Sequence, residues 1–272
     1  MPGKRRQMMN VEAITLDFGN TLVAFPASQM AAVLQSTATL SARSLGLAEG
    51  EFLRFWTEER RRQMVEDVPE GREAYMDIRA TRVLARLRGS RVPGPGARWN
   101  DADAATYSSP EELAAVLDAY ATAFVNLTPA PPEIEPMLAR LAASYRLAII
   151  SNWPLTMAIE RFVVAAGWAP HLSAVVVSHE VGVIKPQREI FEVAAVRLGV
   201  QSGPAILHVG DDPGADVVGA HNVGWRAAWV RVKPDDSPLP VAPPAPHANP
   251  DLTIDSILDL ELRLTPKSSR TR

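Results

Sequence analysis

No cysteine occurs in the 272 residues, which excludes disulfides, thiolate-held metal sites and a cysteine nucleophile together. No apolar run approaches the roughly 18 residues that a membrane-spanning helix needs, so no contact with a bilayer is expected. Charge of one sign is also missing. Against 28 Lys and Arg stand 31 Asp and Glu, a net charge of -3, which gives no electrostatic case for nucleic acid or an anionic surface. The N-terminal residues Lys4, Arg5 and Arg6 have no apolar stretch behind them, so 1–10 reads as a tail and not as a secretory leader. A cytoplasmic protein is the expectation. The rest, 47% apolar and 22% charged, is ordinary globular composition and long enough to bury a sizeable core.

Strand patterns are missing from one continuous block, 26–128. There Met30, Val33, Leu34, Thr37 and Leu40 recur at helical spacing, with Gly46 as a stop. A second helix is predicted over about 51–65, with Phe52, Leu53 and Trp56 on one side and Arg60 to Arg62 on the other. A third is predicted over about 71–87, its face of Arg79, Arg82 and Arg86 expected in solvent. Residues 89–108 read as a Gly/Pro-rich loop. Ser109, Pro110 and Glu112 then spell a capping box, opening a helix with Leu113, Val116, Leu117, Tyr120 and Phe124 on its apolar face.

Outside that block, short apolar runs alternate with helical segments, the pattern of a parallel sheet. Strands are predicted at Ala13–Leu16, Leu147–Ile150, Val175–Val177, Ala205–Val209, Ala227–Val232 and once more after Asp251. Helices are predicted at about 134–144, 155–166, 187–198 and 215–222, with a last short one before 264. Seven prolines between 233 and 250 mark a coil excursion. The expected fold is α/β, a three-layer α/β/α parallel (Rossmann-like) sheet. Its core domain is 11–25 and 129–264, with 26–128 as an all-helical insertion and 1–10 and 265–272 as tails.

The polar motifs sit where predicted strands end: Asp17, Ser151-Asn152, Lys185, and Asp211-Asp212 with Asp216 just beyond. Parallel strands bring such ends to one edge of the sheet. Several carboxylates call for a hard cation, with oxygen ligands suited to Mg²⁺. A hydroxyl and backbone N–H groups at Ser151-Asn152 suit phosphate oxygens, and Lys185 adds a compact positive charge. Asp17 can then act as a nucleophile toward an anionic substrate.

These stretches resemble a known family. D-F-G-N-T-L (17–22), I-I-S-N (149–152), K-P (185–186) and H-V-G-D-D-P-G-A-D-V-V-G-A (208–220) are similar, in order and spacing, to the four motifs of the haloacid dehalogenase (HAD) superfamily. The resemblance implies that 26–128 is a helical cap over the site. It implies Asp17 as nucleophile and metal ligand, Ser151 and Asn152 as phosphate binders and Lys185 as the phosphoryl-stabilising cation. Asp211 and the Gly19 carbonyl would be further Mg²⁺ ligands, with Asp212 and Asp216 holding water or orienting Lys185. The implied activity is Mg²⁺-dependent hydrolysis of a small phosphorylated molecule through an aspartyl-phosphate. Substrate identity and oligomeric state are not legible in the sequence.

One further absence matters. Phosphatases of this family carry a second Asp two residues after the nucleophile as general acid and base, and here that position is Gly19. Three readings stay open: a phosphatase for good leaving groups or with an acid from elsewhere, a dehalogenase-like or phosphonatase-like hydrolase, and a non-catalytic or regulatory scaffold for Mg²⁺ and phosphate. The carboxylate cluster speaks against metal-free dehalogenation. The lack of any lysine in 26–128 excludes Schiff-base phosphonate cleavage of the kind that needs a cap lysine. His179, His208 and His221 read as structural. Trp153 is divided between packing and substrate contact, and Trp56, Trp99 and Tyr107 are candidates for the pocket lining, the last two favoured.

Overall fold

The computed structural model describes residues 9–94, 96–231 and 233–264. Six strands form one sheet: β1 (Ala13–Leu16), β2 (Arg146–Ser151), β3 (Ala174–Val177), β4 (Ile206–Gly210), β5 (Arg226–Val230) and β6 (Leu252–Ile254). Their order is β3-β2-β1-β4-β5-β6, and every pairing is parallel. β1 lies between β2 and β4 and is buried throughout, which is why its sequence reads as an uninterrupted apolar run. Strand order reverses beside β1, so the crevice beyond its carboxyl end is where a ligand site is expected.

Ten helices accompany the sheet among the described residues. They are α1 (Ala27–Leu45), α2 (Glu49–Glu66), α3 (Met76–Leu87), α4 (Asp101–Ala105), α5 (Pro110–Leu127), α6 (Ile134–Ala142), α7 (Thr156–Ala165), α8 (Ser178–Val181), α9 (Arg188–Leu198) and α10 (Val218–Asn222). Alternation along each strand separates two cores. Ile14, Leu16, Leu147, Ile149, Leu207 and Val209 join α6 and α7 on one face. Ala13, Ala148, Ile150, Val176, Ile206 and Ala227 join α9 and α10 on the other. The result is a three-layer α/β/α fold. None of the described helices is long and apolar enough to cross a membrane.

Helices α1–α5 lie between β1 and β2 and are tied to the sheet by an aromatic cluster. Phe18, directly beyond the site residue that ends β1, packs edge-on to Phe162 of α7 at 5.2 Å and lies 6.2 Å from Phe124 of α5. Phe124 stacks on Phe25 at 5.9 Å and lies 5.2 Å from Trp153. Each such ring adds burial worth about 1.5–3 kcal/mol and paired-ring contacts of about 0.5–1.5 kcal/mol.

Several expectations need correction. Helix α3 starts at Met76, not near Gly71. Gly71 is left-handed at φ 73°, and 71–76 instead runs along the core, with Arg72 bridged to Val183, the Gly71 carbonyl accepting from Ile184 N at 3.2 Å and Met76 N donating to the Pro154 carbonyl at 3.1 Å. The Arg79/Arg82/Arg86 face is not in solvent: Arg79 is 2% and Arg82 5% exposed, and the Arg86 side chain 9%. Arg82 pairs with Asp101 at 2.7 Å and Arg86 with Glu59 at 2.8 Å, and charge periodicity cannot separate a wet face from an ion-paired helix contact. The loop at 89–108 contains α4, capped by Asn100. The last helix is a 3-10 turn, Ile257–Arg263, and α10 is preceded by a single π turn, Pro213–Val217. Met9 is buried and donates to the Arg263 carbonyl at 3.0 Å, so that end of the expected N-terminal tail is packed. Residues 1–8 and 265–272 lie outside the described residues.

If the aromatic cluster is what ties α5 to the sheet, Phe124→Ala should lower unfolding free energy by ~3–5 kcal/mol in urea denaturation. A loss below about 1 kcal/mol would show that other contacts hold the helices in place.

Candidate active site

Asp17 is delivered to the sheet edge by one extra rung of the ladder: its N–H donates to the Val209 carbonyl at 2.8 Å. The chain then turns sharply, the Phe18 carbonyl accepting from both Leu22 N and Val23 N at 3.0 Å. Asn20, not Gly19, takes the left-handed conformation, at φ 60°. Its side-chain oxygen accepts from Phe25 N at 3.1 Å. What Gly19 supplies is space, because a Cβ there would lie 2.7 Å from Leu239 Cδ1.

Lys185 is the hub. Its buried ammonium donates to Asp17 Oδ1 and Asp216 Oδ1, both at 2.7 Å, and to the Ile150 carbonyl at 3.0 Å. Asn152 holds the lysine backbone from both sides, accepting from its N–H at 2.8 Å and donating to its carbonyl at 3.2 Å. Both ends of that amide are therefore engaged by the protein. Asp216 also contacts His208 Nε2 at 3.1 Å and accepts from Asp212 N at 2.9 Å. It can come this close because residue 210 is glycine, where a Cβ would lie 2.1 Å from its carboxylate. His208 Nδ1 lies 2.8 Å from the Thr15 hydroxyl. Burial pushes the ring's pKa down despite the Asp216 hydrogen bond, so the imidazole is neutral, its Nε2–H facing the carboxylate.

The carboxylates of Asp17, Asp211 and Asp216 approach within 4.8 Å of one another. Burial alone would raise Asp216, but Lys185 and His208 hold it well below the usual carboxylate range. Burial likewise opposes the Lys185 charge, yet Asp17 and Asp216 keep its pKa well above normal. The other two carboxyls are less well compensated. Burial lifts Asp17 to about 6 against the pull of Lys185. Burial, then Asp17 and Asp216, lift Asp211 to about 7. Among the described residues the Asp211 carboxylate has only long contacts, to Thr21 Oγ1 and to Lys233 Nζ, each 3.4 Å. Two under-compensated carboxylates on neighbouring strand ends are an oxygen-only donor set of the kind that fits a hard divalent cation. Asp212 has a different task, capping the turn at Gly214 N and Ala215 N at 2.8 and 3.1 Å and accepting from Ala242 N at 2.7 Å.

A cavity of about 720 Å³ opens over this edge. Asp17, Gly19, Ser151, Asn152, Lys185, Asp211, Asp212 and Asp216 all line it. Trp153 lines it too and belongs to the aromatic cluster. Trp56, Trp99 and Tyr107 do not line it. Trp56 stacks on Phe52, Trp99 donates to Glu59 at 2.9 Å, and Tyr107 is on the surface. His179 meets Thr156 and His221 meets Asp251, away from the carboxylates.

Three groups went unread in the sequence. Arg60 and Arg79 line the cavity from α2 and α3, and the proline-rich 233–250 walls it through Leu239 to Pro244. Lys233 completes the set, so two of the four lysines in the chain converge here. A signal was available for Lys233, since it follows the carboxyl end of β5 on the same sheet edge.

The model of the haloacid dehalogenase-like hydrolases matches residues 11–224. The chain belongs to this family. Among curated relatives, this HAD-like hydrolase is 36% identical over 137 residues to a phosphoserine phosphatase of Thermus thermophilus, covering 49% of the chain and 51% of the relative. It is 28% identical over 144 residues to the pyrimidine 5'-nucleotidase YjjG of Escherichia coli, covering 51% and 60%. The match thus spans about half the length of these relatives. Among solved structures, a 2-haloacid dehalogenase from Pseudomonas syringae shares the fold at TM-score 0.62 and 22% identity, over 93% of this chain and 97% of that one.

The raised carboxyls set a pH dependence for this hydrolase. With folded values of about 6 and about 7 against an unfolded value of 3.8, Asp17 and Asp211 bind protons in the folded state that the unfolded chain has released. Their stabilisation is present at low pH and lost as pH rises through those values. Asp216 has the opposite sign, its contribution lost only in acid. The metal-free protein should therefore melt lower at about pH 8 than at about pH 5, and Asp211→Asn should flatten the fall. A thermal-melt series that is flat over this range would contradict the assignment.

Proposed function

We propose that this HAD-like hydrolase cleaves a small phosphorylated molecule, with Asp17 attacking phosphorus and an aspartyl-phosphate as the intermediate. The observation that carries this reading is the Lys185 ammonium 2.7 Å from Asp17 and from Asp216, with Asp211 alongside. It leaves Asp17 ionised and hydrogen-bonded through one oxygen, so that the other can form the O–P bond as the bond to the leaving group breaks. Lys185 and the Ser151 hydroxyl offset phosphoryl charge. Asp17, Asp211 and the Gly19 carbonyl would hold Mg²⁺, which when bound supplies further compensation of that charge. The names of the relatives, a phosphoserine phosphatase and a pyrimidine 5'-nucleotidase, support phosphomonoester chemistry.

Gly19 narrows the substrates. It offers no proton to a leaving alcohol, and Leu239 fills the adjoining space. General acid help is worth ~10²–10⁴-fold, so leaving groups that depart without a proton are favoured: acyl and aryl phosphates. A scaffold that binds Mg²⁺ and phosphate without turnover is the second reading, favoured by the same apolar position.

Turnover of acetyl phosphate and p-nitrophenyl phosphate, with and without Mg²⁺, separates the two. Activity should need the metal and vanish in Asp17→Asn and Lys185→Ala. Activity of Lys185→Ala within a few-fold of wild type would remove the lysine from the chemistry.

The leaving-group slope is the second measurement. Rate should fall steeply from aryl to alkyl phosphates. Because the end of the Leu239 side chain must shift to admit a side chain at 19, Gly19→Asp with Leu239→Ala should recover more alkyl phosphatase activity than Gly19→Asp alone, up to a good part of ~10²–10⁴-fold. A flat slope in the wild type would mean that another group already supplies the proton.

A further inference from the structure

Of the seven arginines of α2 and α3, Arg54 and Arg61 point to solvent, and the other five divide by where they sit. Arg62, Arg82 and Arg86 do not line the cavity, and each is ion-paired: Arg62 with Glu66 at 2.9 Å, Arg82 with Asp101 at 2.7 Å, Arg86 with Glu59 at 2.8 Å. Arg60 and Arg79 line the cavity, and among the described residues neither has a carboxylate oxygen within the 4.0 Å of an ion pair. Their hydrogen bonds are to neutral oxygens. Arg79, 2% exposed, donates from Nε to Gln63 Oε1 at 2.8 Å and from Nη2 to the Ala74 carbonyl at 3.2 Å. Arg60 donates from Nη2 to the Pro238 carbonyl at 2.9 Å.

A guanidinium taken out of water without a counter-charge destabilises the fold. Here burial pushes Arg79 down to about 10 and Arg60 pushes the same way, against weaker opposing pulls from Tyr120 and Glu73. The cavity thus holds two guanidiniums with no ion-pair partner among the described residues, and the one carboxylate that acts on Arg79 from further off, Glu73, is itself taken up by Ala74 N and the Ser178 hydroxyl. Arg60 is tied to the wall beside Gly19, since it is held by the Pro238 carbonyl and the next residue, Leu239, abuts Gly19.

We propose that Arg60 and Arg79 form a second anion subsite, which selects substrates whose leaving group carries a carboxylate a short distance from the phosphoryl group. The planar fork of arginine matches a carboxylate, and Lys185 and Ser151 already serve the phosphoryl end. Met30, Met64 and Met76 in the same cavity give a pliable apolar surface for the body between the two anions. The substrate class is a small phosphorylated carboxylic acid. This rests on the phosphoryl reading for one end of the substrate only.

The test uses probes that cannot turn over. Phosphonoacetate and 3-phosphonopropionate carry both anions, and methylphosphonate carries one. In titration calorimetry with Mg²⁺, the wild type should prefer the better-fitting two-anion probe by about tenfold or more. Arg60→Met and Arg79→Met should each reduce that preference to a few-fold while methylphosphonate binds as before. Retained preference in both variants would overturn the subsite, and so would an equal loss of all probes, which would mark the arginines as structural. Arg79→Lys, which keeps the charge but not the fork, serves if Arg79→Met does not fold, and it should lose most of the preference. If no phosphonate binds the wild type, the phosphoryl reading is at fault, and malonate then tests the subsite alone. A malonate-induced rise in melting temperature in the wild type but not in Arg60→Met supports it, and no rise in the wild type overturns it.

Discussion

Three buried carboxylates meet at one edge of the sheet because a lysine ammonium lies between two of them. Lys185 donates to Asp17, to Asp216 and to the Ile150 carbonyl, so all three of its protons are placed. Without it, like charges in a medium of low polarity would repel by far more than in water. The lysine in turn depends on Asn152, whose amide clamps its backbone and ties the segment after β3 to the end of β2. Asp216 depends on the missing side chain at Gly210 and on the neutral His208 beneath it. The site is therefore a single buried network running from Thr15 inside the sheet to Asp17 at its edge.

Around that network the cavity walls come from three distant parts of the chain. The aromatic cluster fixes α5 to the core, and 71–76 runs beside 183–184. The proline-rich segment closes the remaining side. Its Ser237 meets Asn20 at 3.0 Å, Asp236 accepts from Ala27 N at 3.2 Å at the start of α1, and Ala242 N reaches Asp212 at 2.7 Å. Proline limits the conformations open to such a strap before folding, which lowers the entropy lost on ordering it. The strap also puts Leu239 against Gly19, so a segment distant in sequence bears on the turn that follows Asp17.

Membership of the haloacid dehalogenase-like hydrolases rests on a match over 11–224, whereas the strap begins beyond it. Similarity to the curated phosphoserine phosphatase and 5'-nucleotidase covers about half of the chain. The carboxylates and Lys185 lie at the sheet edge, whereas Arg60, Arg79, Lys233 and Leu239 line the cavity from its walls.

By itself the sequence determined the sheet, because each strand is short, apolar and followed by a helix pattern, and those signals are local. It also determined the polar residues at the strand ends, since parallel strands can only bring those ends to one edge. Ser109 and Glu112 form the expected capping box at 3.3 and 2.9 Å for the same reason, the contacts being three residues apart. Tertiary structure alone decided which charges are paired. Arg79, Arg82 and Arg86 have one helical spacing and one residue type, yet two meet carboxylates and the third faces the cavity. That difference comes from where Asp101 and Glu59 arrive from elsewhere in the chain. Tertiary structure also decided that Lys233 to Pro250, a coil by composition, walls the site. No local pattern encodes that, because its partners Asn20, Arg60 and Asp212 lie on other elements, and only the folded sheet brings them within hydrogen-bond reach.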